Sequence, residues 1–304
     1  NFSKVNLKNS SIYVTLEPCS HYGQTSPCVK KIIKKKIKNV FFSVKDVDKR
    51  SFNKSTKLFN ISGLITKNGL LKKEINNFYK SYYNFKKNKL PFVTCKLAIS
   101  KDFFISSIYK KKWITNFFSR GRVHLMRSRH DCLITSSETV IKDNPYLTCR
   151  INGLNKRSPA RIILDNRMRI PVKSNIFKDT RKYKTILFYN KPNSKKIKLL
   201  KKRRVTLIKT AIDLDGQINL KNVLFTLSNL GYSRVFLESG IKLILSFFEK
   251  KLINDFQLFI SKNKLNKFGR INVDNRLKFF LKKKRKIFQK VNLLGDKLVY
   301  YKIK

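Results

Sequence analysis

Cys19 and Cys28 stand with eight residues between them, and His21 lies in that interval. Thiolate and imidazole together suit zinc, and a catalytic zinc takes three protein ligands while keeping one position open for water. In a reducing compartment such a pair is metal-binding or catalytic rather than a disulfide. Five cysteines, an odd number, do not make a secreted disulfide scaffold. The expected compartment is therefore the cytoplasm. Cys28 falls in the first turn of a predicted helix, where the helix dipole favours the thiolate.

The elements that must hold these residues are legible around them. SIYVTL (Ser11–Leu16) alternates and reads as a strand. Pro27 opens the helical stretch PCVKKIIKKKIKN, and NVFFSVKD (Asn39–Asp46) is a buried-type strand. Strand, cysteine loop, helix and strand make one βαβ unit, which predicts a parallel pair. Lys73–Lys89 begins as a polar, aromatic-rich helix. KKNKLP (Lys86–Pro91) reads as a boundary, giving domains over 1–88 and 91–304.

A second series starts with the strand FVTCKLAIS (Phe92–Ser100). Asn116–Arg129 has helical spacing, with Thr115 as its expected N-cap. CLITS, ARIILD, KTILFYN, RVTLI, RVFLES, DFQLFIS and KLVYYKI read as strands, and Leu220–Leu230 and Leu243–Lys250 as helices. The fold class is α/β. The Lys-rich stretch Lys282–Lys286 reads as a solvated turn or helix end.

Composition bounds the function classes. Seventy Lys and Arg face 17 Asp and Glu, a formal charge of +53. Such an excess raises the alternative of a basic nucleic-acid-binding protein on a decayed enzyme fold. The lysines, however, are spread over helices, loops and both ends, alongside abundant Asn, Ile, Phe and Tyr. That spread reads as compositional bias, and a nucleic-acid partner is not expected. No run of 18 apolar residues appears, so no membrane partner is expected either.

Zinc deaminases carry H-x-E upstream of P-C-x-x-C, where the metal makes hydroxide and the Glu moves protons. His21, His124 and His130 are the only histidines, and none sits in H-x-E. Taken whole, TLEPCSHYGQTSPC (Thr15–Cys28) resembles the bifunctional riboflavin-biosynthesis deaminase/reductase family, whose pattern is T-L-E-P-C-x-H-x-G-[RK]-T-P-P-C. The resemblance makes Cys19 and Cys28 zinc ligands and His21 a substrate contact. Gln24 departs from the family's basic residue, and Ser26 from a proline. The family's H-A-E lies far enough before the first cysteine to fall upstream of Asn1, so the deaminase domain is expected to be incomplete here, with its catalytic Glu outside the chain.

The resemblance continues through WITNFFSRGRVHLMRSRHDCLITSSETVIKDNPYLTCR (Trp113–Arg150), ARIILDNRMRIP and VFLESGIKLILSFF. It implies a partial cytidine-deaminase-like domain followed by a dihydrofolate-reductase-like domain that uses NADPH. The implied substrate is a phosphorylated ribosylaminopyrimidine, and the implied assembly a homodimer through the reductase domain. Arg127, Tyr146, Arg150 and Glu238 match substrate-binding positions, and Lys111 stands where the family has a substrate-binding Ser. Ala98, Trp113, Thr139, Asp143 and Asn166 match cofactor contacts. So does the run Gly240, Ile241, Lys242, Leu243, Ile244, Leu245 and Ser246, where a glycine and a helix start suit an anion. Asp102-Phe103 replaces the family's Asp-Gly.

Overall fold

The computed structural model describes residues 6–23, 25–109 and 113–304. Gln24 and Lys111, both singled out above, lie outside the described residues. The chain divides into two compact units, Asn1–Lys89 and Leu90–Lys304. Among the described residues no helix is long and apolar enough to cross a membrane.

The first unit runs β1 (Ser11–Leu16), α1 (Cys28–Lys34), β2 (Asn39–Val44), α2 (Lys54–Ile61), β3 (Ile65–Asn68) and α3 (Lys72–Asn88). The three strands form a parallel sheet in the order β1-β2-β3, with Val14 opposite Phe42. Val29 and Ile32 of α1 and Phe59 of α2 bury against Val40. That packing hangs the cysteine loop between the end of β1 and the start of α1. Pro27 is the N-cap residue of α1, not a member of its first turn, because its backbone is extended (φ −54°, ψ 134°).

The second unit runs β4 (Phe92–Ile99), β5 (Phe104–Ser107), α4 (Phe117–Arg127), β6 (Cys132–Ser136), α5 (Ser137–Asp143), β7 (Ala160–Leu164), β8 (Thr185–Tyr189), α6 (Ser194–Lys202), β9 (Thr206–Lys209) and α7 (Leu220–Asn229), then β10 (Arg234–Glu238), α8 (Ile241–Glu249), β11 (Asp255–Ile260), β12 (Gly269–Asn272), α9 (Asp274–Leu281), β13 (Arg285–Phe288) and β14 (Lys297–Lys302). Nine strands form one sheet in the order β13-β14-β11-β4-β10-β6-β7-β8-β9. From β11 to β9 the pairs are parallel, while β14 and β13 join antiparallel.

Helices cover both faces, as the apolar runs of buried parallel strands require. Val93, Cys95, Ile134 and Leu237 pack beneath α7, α8 and α9. Leu133, Ile163, Leu187 and Phe236 pack beneath α4 and α6. Every loop at the carboxyl ends of these parallel strands therefore opens on one edge of the sheet, where α/β folds bind ligands.

Three sequence expectations are corrected here. The N-cap of α4 is Asn116, not Thr115, because the Asn116 Oδ1 accepts from the Ser119 amide at 3.0 Å. Helix α8 begins at Ile241, not Leu243, since the extended Gly240 caps it directly. In the Lys-rich stretch, Arg285 and Lys286 belong to the exposed edge strand β13. Phe103, which replaces a glycine of the family pattern, has a left-handed backbone (φ 67°). A side chain there carries a steric cost of about 1–2 kcal/mol.

Candidate active site

The carboxyl end of β10 joins two clusters of polar side chains. Glu238 closes the strand and belongs to the first. Arg127, the last residue of α4, grips it with both arms: Nε donates to Oε2 and Nη2 to Oε1, each at 2.9 Å. Arg127 Nη1 also donates to the Thr148 carbonyl at 2.9 Å. Lys96 is the register partner of Glu238 on β4 and adds a second positive charge on the same face. Burial alone would raise the Glu238 carboxyl, but Arg127 and Lys96 hold it down to about 2. Burial lowers the Lys96 ammonium, against the pull of Glu238, and so eases loss of its proton.

Arg150 and His124 complete this cluster. The Thr148 carbonyl lies 3.0 Å from His124 Nδ1. Burial, Arg127 and Arg150 lower His124 to about 4, so its ring is neutral at neutral pH. The Asn144–Arg150 loop is pinned from below by Arg161, a fully buried guanidinium. Its Nη1 donates to the Tyr146 carbonyl at 3.1 Å and to Asp179 at 2.5 Å. Its Nε and Nη2 both reach Thr185 Oγ1, at 3.1 and 2.7 Å.

The second cluster starts one residue later. Ser239 Oγ lies 3.0 Å from Ser136 Oγ and 3.2 Å from Thr139 Oγ1. The Gly240 amide donates to Thr139 Oγ1 at 3.0 Å. The starts of α5 and α8 thus meet across adjacent strands. The first amides of a helix have no partner inside it and, with the helix dipole, favour an anion. In α8 those are the amides of Ile241, Lys242 and Leu243. The Ile244 amide is already spent on the Gly240 carbonyl and its side chain is buried in the core, while Ser246 Oγ bonds the Lys242 carbonyl. Leu245 packs against the core.

The remaining candidates spread along the same edge. Asn166 follows β7; its Nδ2 donates to the Gly216 carbonyl at 2.8 Å, and its buried Oδ1 has no partner among the described residues. Asp143 ends α5, and burial raises its carboxyl. Ala98 packs on the β11 side of the sheet beside Phe259. Trp113 is 72% exposed, with the Arg120 guanidinium 4.9 Å above its ring, so it is not a core residue. Sequence reasoning missed Lys96, one lysine among many in an otherwise apolar strand. Its only signal was a charge inside a run whose other members, Ala98 apart, are buried. Arg161 was equally hidden.

In the first unit, the Cys28 amide donates to Cys19 Sγ at 3.3 Å, so the two sulfurs are neighbours. Burial and the Cys19 sulfur raise the Cys28 thiol, contrary to the thiolate expected from its place at the start of α1. A cation between two such thiols relieves that repulsion, and the pair fits as two of the three usual protein ligands of zinc. Among the described residues no three metal-ligating side chains gather together. His21 Nδ1 instead lies 2.9 Å from Ser51 Oγ. The loop is tied to its surroundings by the buried Glu17, whose carboxylate accepts from the Asp46 and Asn53 amides at 3.1 and 3.3 Å and from the Ser55 hydroxyl.

Comparison with known proteins fits this geometry. Residues 91–262 match the RibD C-terminal domain family. The riboflavin biosynthesis protein RibD of Aquifex aeolicus is 30% identical over 301 residues, covering 97% of this chain and 80% of that protein. RibD of Bacillus amyloliquefaciens is 32% identical, over 84% of this chain and 68% of that protein. A solved structure from Thermotoga maritima, described as a diaminohydroxyphosphoribosylaminopyrimidine deaminase/5-amino-6-(5-phosphoribosylamino)uracil reductase, is 26% identical. It superposes with a TM-score of 0.79, covering 98% of this chain and 80% of that one. Acinetobacter baumannii RibD shares the fold, with a TM-score of 0.83 at 23% identity over 97% of this chain and 81% of that one. The family match over more than half of the chain and relatives about 30% identical along most of it agree: the chain belongs to the RibD family of riboflavin-biosynthesis proteins.

Proposed function

We propose that the second unit is an NADPH-dependent reductase acting on 5-amino-6-(5-phosphoribosylamino)uracil. The observation that carries this reading is the junction at the end of β10. Consecutive residues there serve a charged pocket, through Glu238, and an anion-ready helix start, through Ser239 and Gly240. The cofactor, when bound, supplies the hydride. The chain's part is to place a sugar carbon, C1′, within reach of it. As C1′ gains the hydride, the ring oxygen leaves it and must gain a proton, opening the ribose to a ribityl chain. Lys96, whose burial weakens its hold on a proton, is the group we assign to that transfer. Arg150 is assigned to the substrate phosphate, for which a planar guanidinium is suited. Tyr146 lies on the same pinned loop. Thr139, with the amides of Ile241, Lys242 and Leu243 behind the capping Gly240, is assigned to the cofactor phosphates, and Ala98, Trp113, Asp143 and Asn166 to the rest of the cofactor.

The test is NADPH oxidation by the purified chain, followed by absorbance. Turnover should require the phosphoribosylaminouracil, and Lys96→Met should lower kcat by about 10²–10⁴-fold with little change in NADPH affinity. An unchanged kcat in Lys96→Met would remove Lys96 from the proton step.

For the first unit, we propose that Cys19 and Cys28 hold a zinc ion serving pyrimidine deamination, with His21 facing the substrate. Zinc titration of the wild-type chain against Cys19→Ser tests the metal assignment. Affinity should fall at least tenfold in the variant, and equal affinities would sink it.

A further inference from the structure

Three successive residues between α5 and β7 each have one backbone group tied, and each tie comes from a different side chain. The Thr148 carbonyl accepts from Arg127 Nη1 at 2.9 Å. The Cys149 amide donates to Ser158 Oγ at 2.9 Å. The Arg150 amide donates to His124 Nδ1 at 3.2 Å and has no other acceptor among the described residues. His124 and Arg127 lie three positions apart on α4, a spacing that puts both on one face of the helix. Leu147, just before this stretch, is buried with a left-handed backbone (φ 54°), which a bulky residue keeps only where its surroundings enforce it.

His124 Nδ1 also stands 3.0 Å from the Thr148 carbonyl. One ring nitrogen cannot serve both neighbours: protonated it donates to the carbonyl, and bare it accepts from the amide. The carbonyl already has the Arg127 guanidinium as its donor, whereas the amide has only the imidazole. The ring is neutral at neutral pH and so carries one proton. The arrangement that leaves neither backbone group without a partner puts that proton on Nε2 and keeps Nδ1 bare, facing the Arg150 amide. A packed helix thus sets the point at which residue 150 leaves the loop. Arg127 is committed to Glu238, while the Arg150 side chain is exposed and has no carboxylate partner among the described residues. Of the two guanidiniums in the cluster, Arg150 is therefore the one available to an incoming anion.

We propose that His124 is a positioning residue for the reduction: its bare Nδ1 fixes the Arg150 amide and so aims the Arg150 guanidinium at the substrate phosphate. The inference rests on the reductase reading above, in which Arg150 takes that phosphate. Steady-state kinetics of the full chain at saturating NADPH test it, with two amide replacements that separate the ring nitrogens. In His124→Asn the side-chain oxygen occupies the place of Nδ1. In His124→Gln the amide lies one bond further out, near the place of Nε2. His124→Gln should raise KM for the phosphoribosylaminouracil about tenfold, with kcat and NADPH affinity within about twofold of wild type. His124→Asn should keep KM within about threefold of wild type. Arg150→Gln should raise KM by itself, and adding His124→Gln to it should raise KM no further, because the two act through one contact. If the Asn and Gln variants raise KM alike, if the double variant shows the product of the two single effects, or if NADPH affinity falls together with KM, the assignment is overturned. A wild-type KM in His124→Gln overturns it as well. An unchanged KM in Arg150→Gln removes the phosphate contact that His124 is assigned to aim. A wild type that does not oxidise NADPH with the phosphoribosylaminouracil sinks the reductase reading itself, and this inference with it.

Discussion

Arg127 and Glu238 resemble two separate substrate contacts in the sequence, 111 residues apart; in the fold they form one bidentate pair. That pairing gives Arg127 a structural duty as well. Arg127→Ala strands a buried carboxylate beside Lys96 and should cost on the order of 3–5 kcal/mol in urea unfolding; a loss below about 1 kcal/mol would show the carboxylate finding other partners. His124 sets a pH dependence through the same cluster. Its folded pKa, about 4, lies below the ordinary histidine value, so unfolding takes up a proton in the interval between. The stability it confers is whole above about pH 6.5 and is lost as pH falls toward 4. His124→Gln should therefore lose about 1–2 kcal/mol less than wild type between pH 7 and 4.5, read from urea midpoints. Parallel curves would place that acid sensitivity elsewhere. None of this was legible in advance, because pairing across strands depends on register, which a lone Arg or His does not announce.

Strands β4, β6, β7, β8, β10 and β11 could be read from the sequence because each is a short apolar run, the mark of a strand buried on both faces. Strands β5, β12 and β13 could not. β5 is half-buried and the other two are largely exposed, and FISS, GRIN and RKIF carry no alternation that outweighs their surroundings. The candidate site followed the same division. Gly240 pointed to an anion-ready helix start, although the helix read from Leu243 begins two residues earlier, at Ile241, whereas the irregular loop 144–150 gave no signal of what holds it. Arg161 holds it, from the second position of β7. Arg161→Met should destabilise the unit by about 3–5 kcal/mol through the orphaned Asp179 and Tyr146 carbonyl. It should also expose the loop to limited proteolysis at concentrations of urea that leave wild type intact. Resistance equal to wild type would mean the loop is set by its other ties, Arg127 on the Thr148 carbonyl, Ser158 on the Cys149 amide and Asn175, whose Nδ2 donates to the Asn144 carbonyl at 2.9 Å.

The two units each have a core of their own, and that independence is the property of the whole chain with most experimental reach. A fragment of residues 90–304 should fold cooperatively and bind NADPH within about twofold of the full chain, since it contains every residue assigned to the cofactor. A fragment that stays unfolded would show that the first unit is needed to complete the second. The charge of +53 is spread over both units and bears on solubility rather than on the site. The placement of the five cysteines, all free, follows the same partition. Cys95, Cys132 and Cys149 are buried in the second unit, and burial raises the Cys95 and Cys132 thiols well above the ordinary range. Cys19 and Cys28 can be reached from solvent in the first. An alkylating reagent thus acts as a clock with two hands. Two equivalents should react early and report on the cysteine loop, falling silent when zinc is added. Three should react only as the second unit opens, Cys95 and Cys132 with the nine-stranded sheet and Cys149 with the loop after α5, so that one colorimetric trace times the unfolding of that unit and, separately, the occupancy of the cysteine loop.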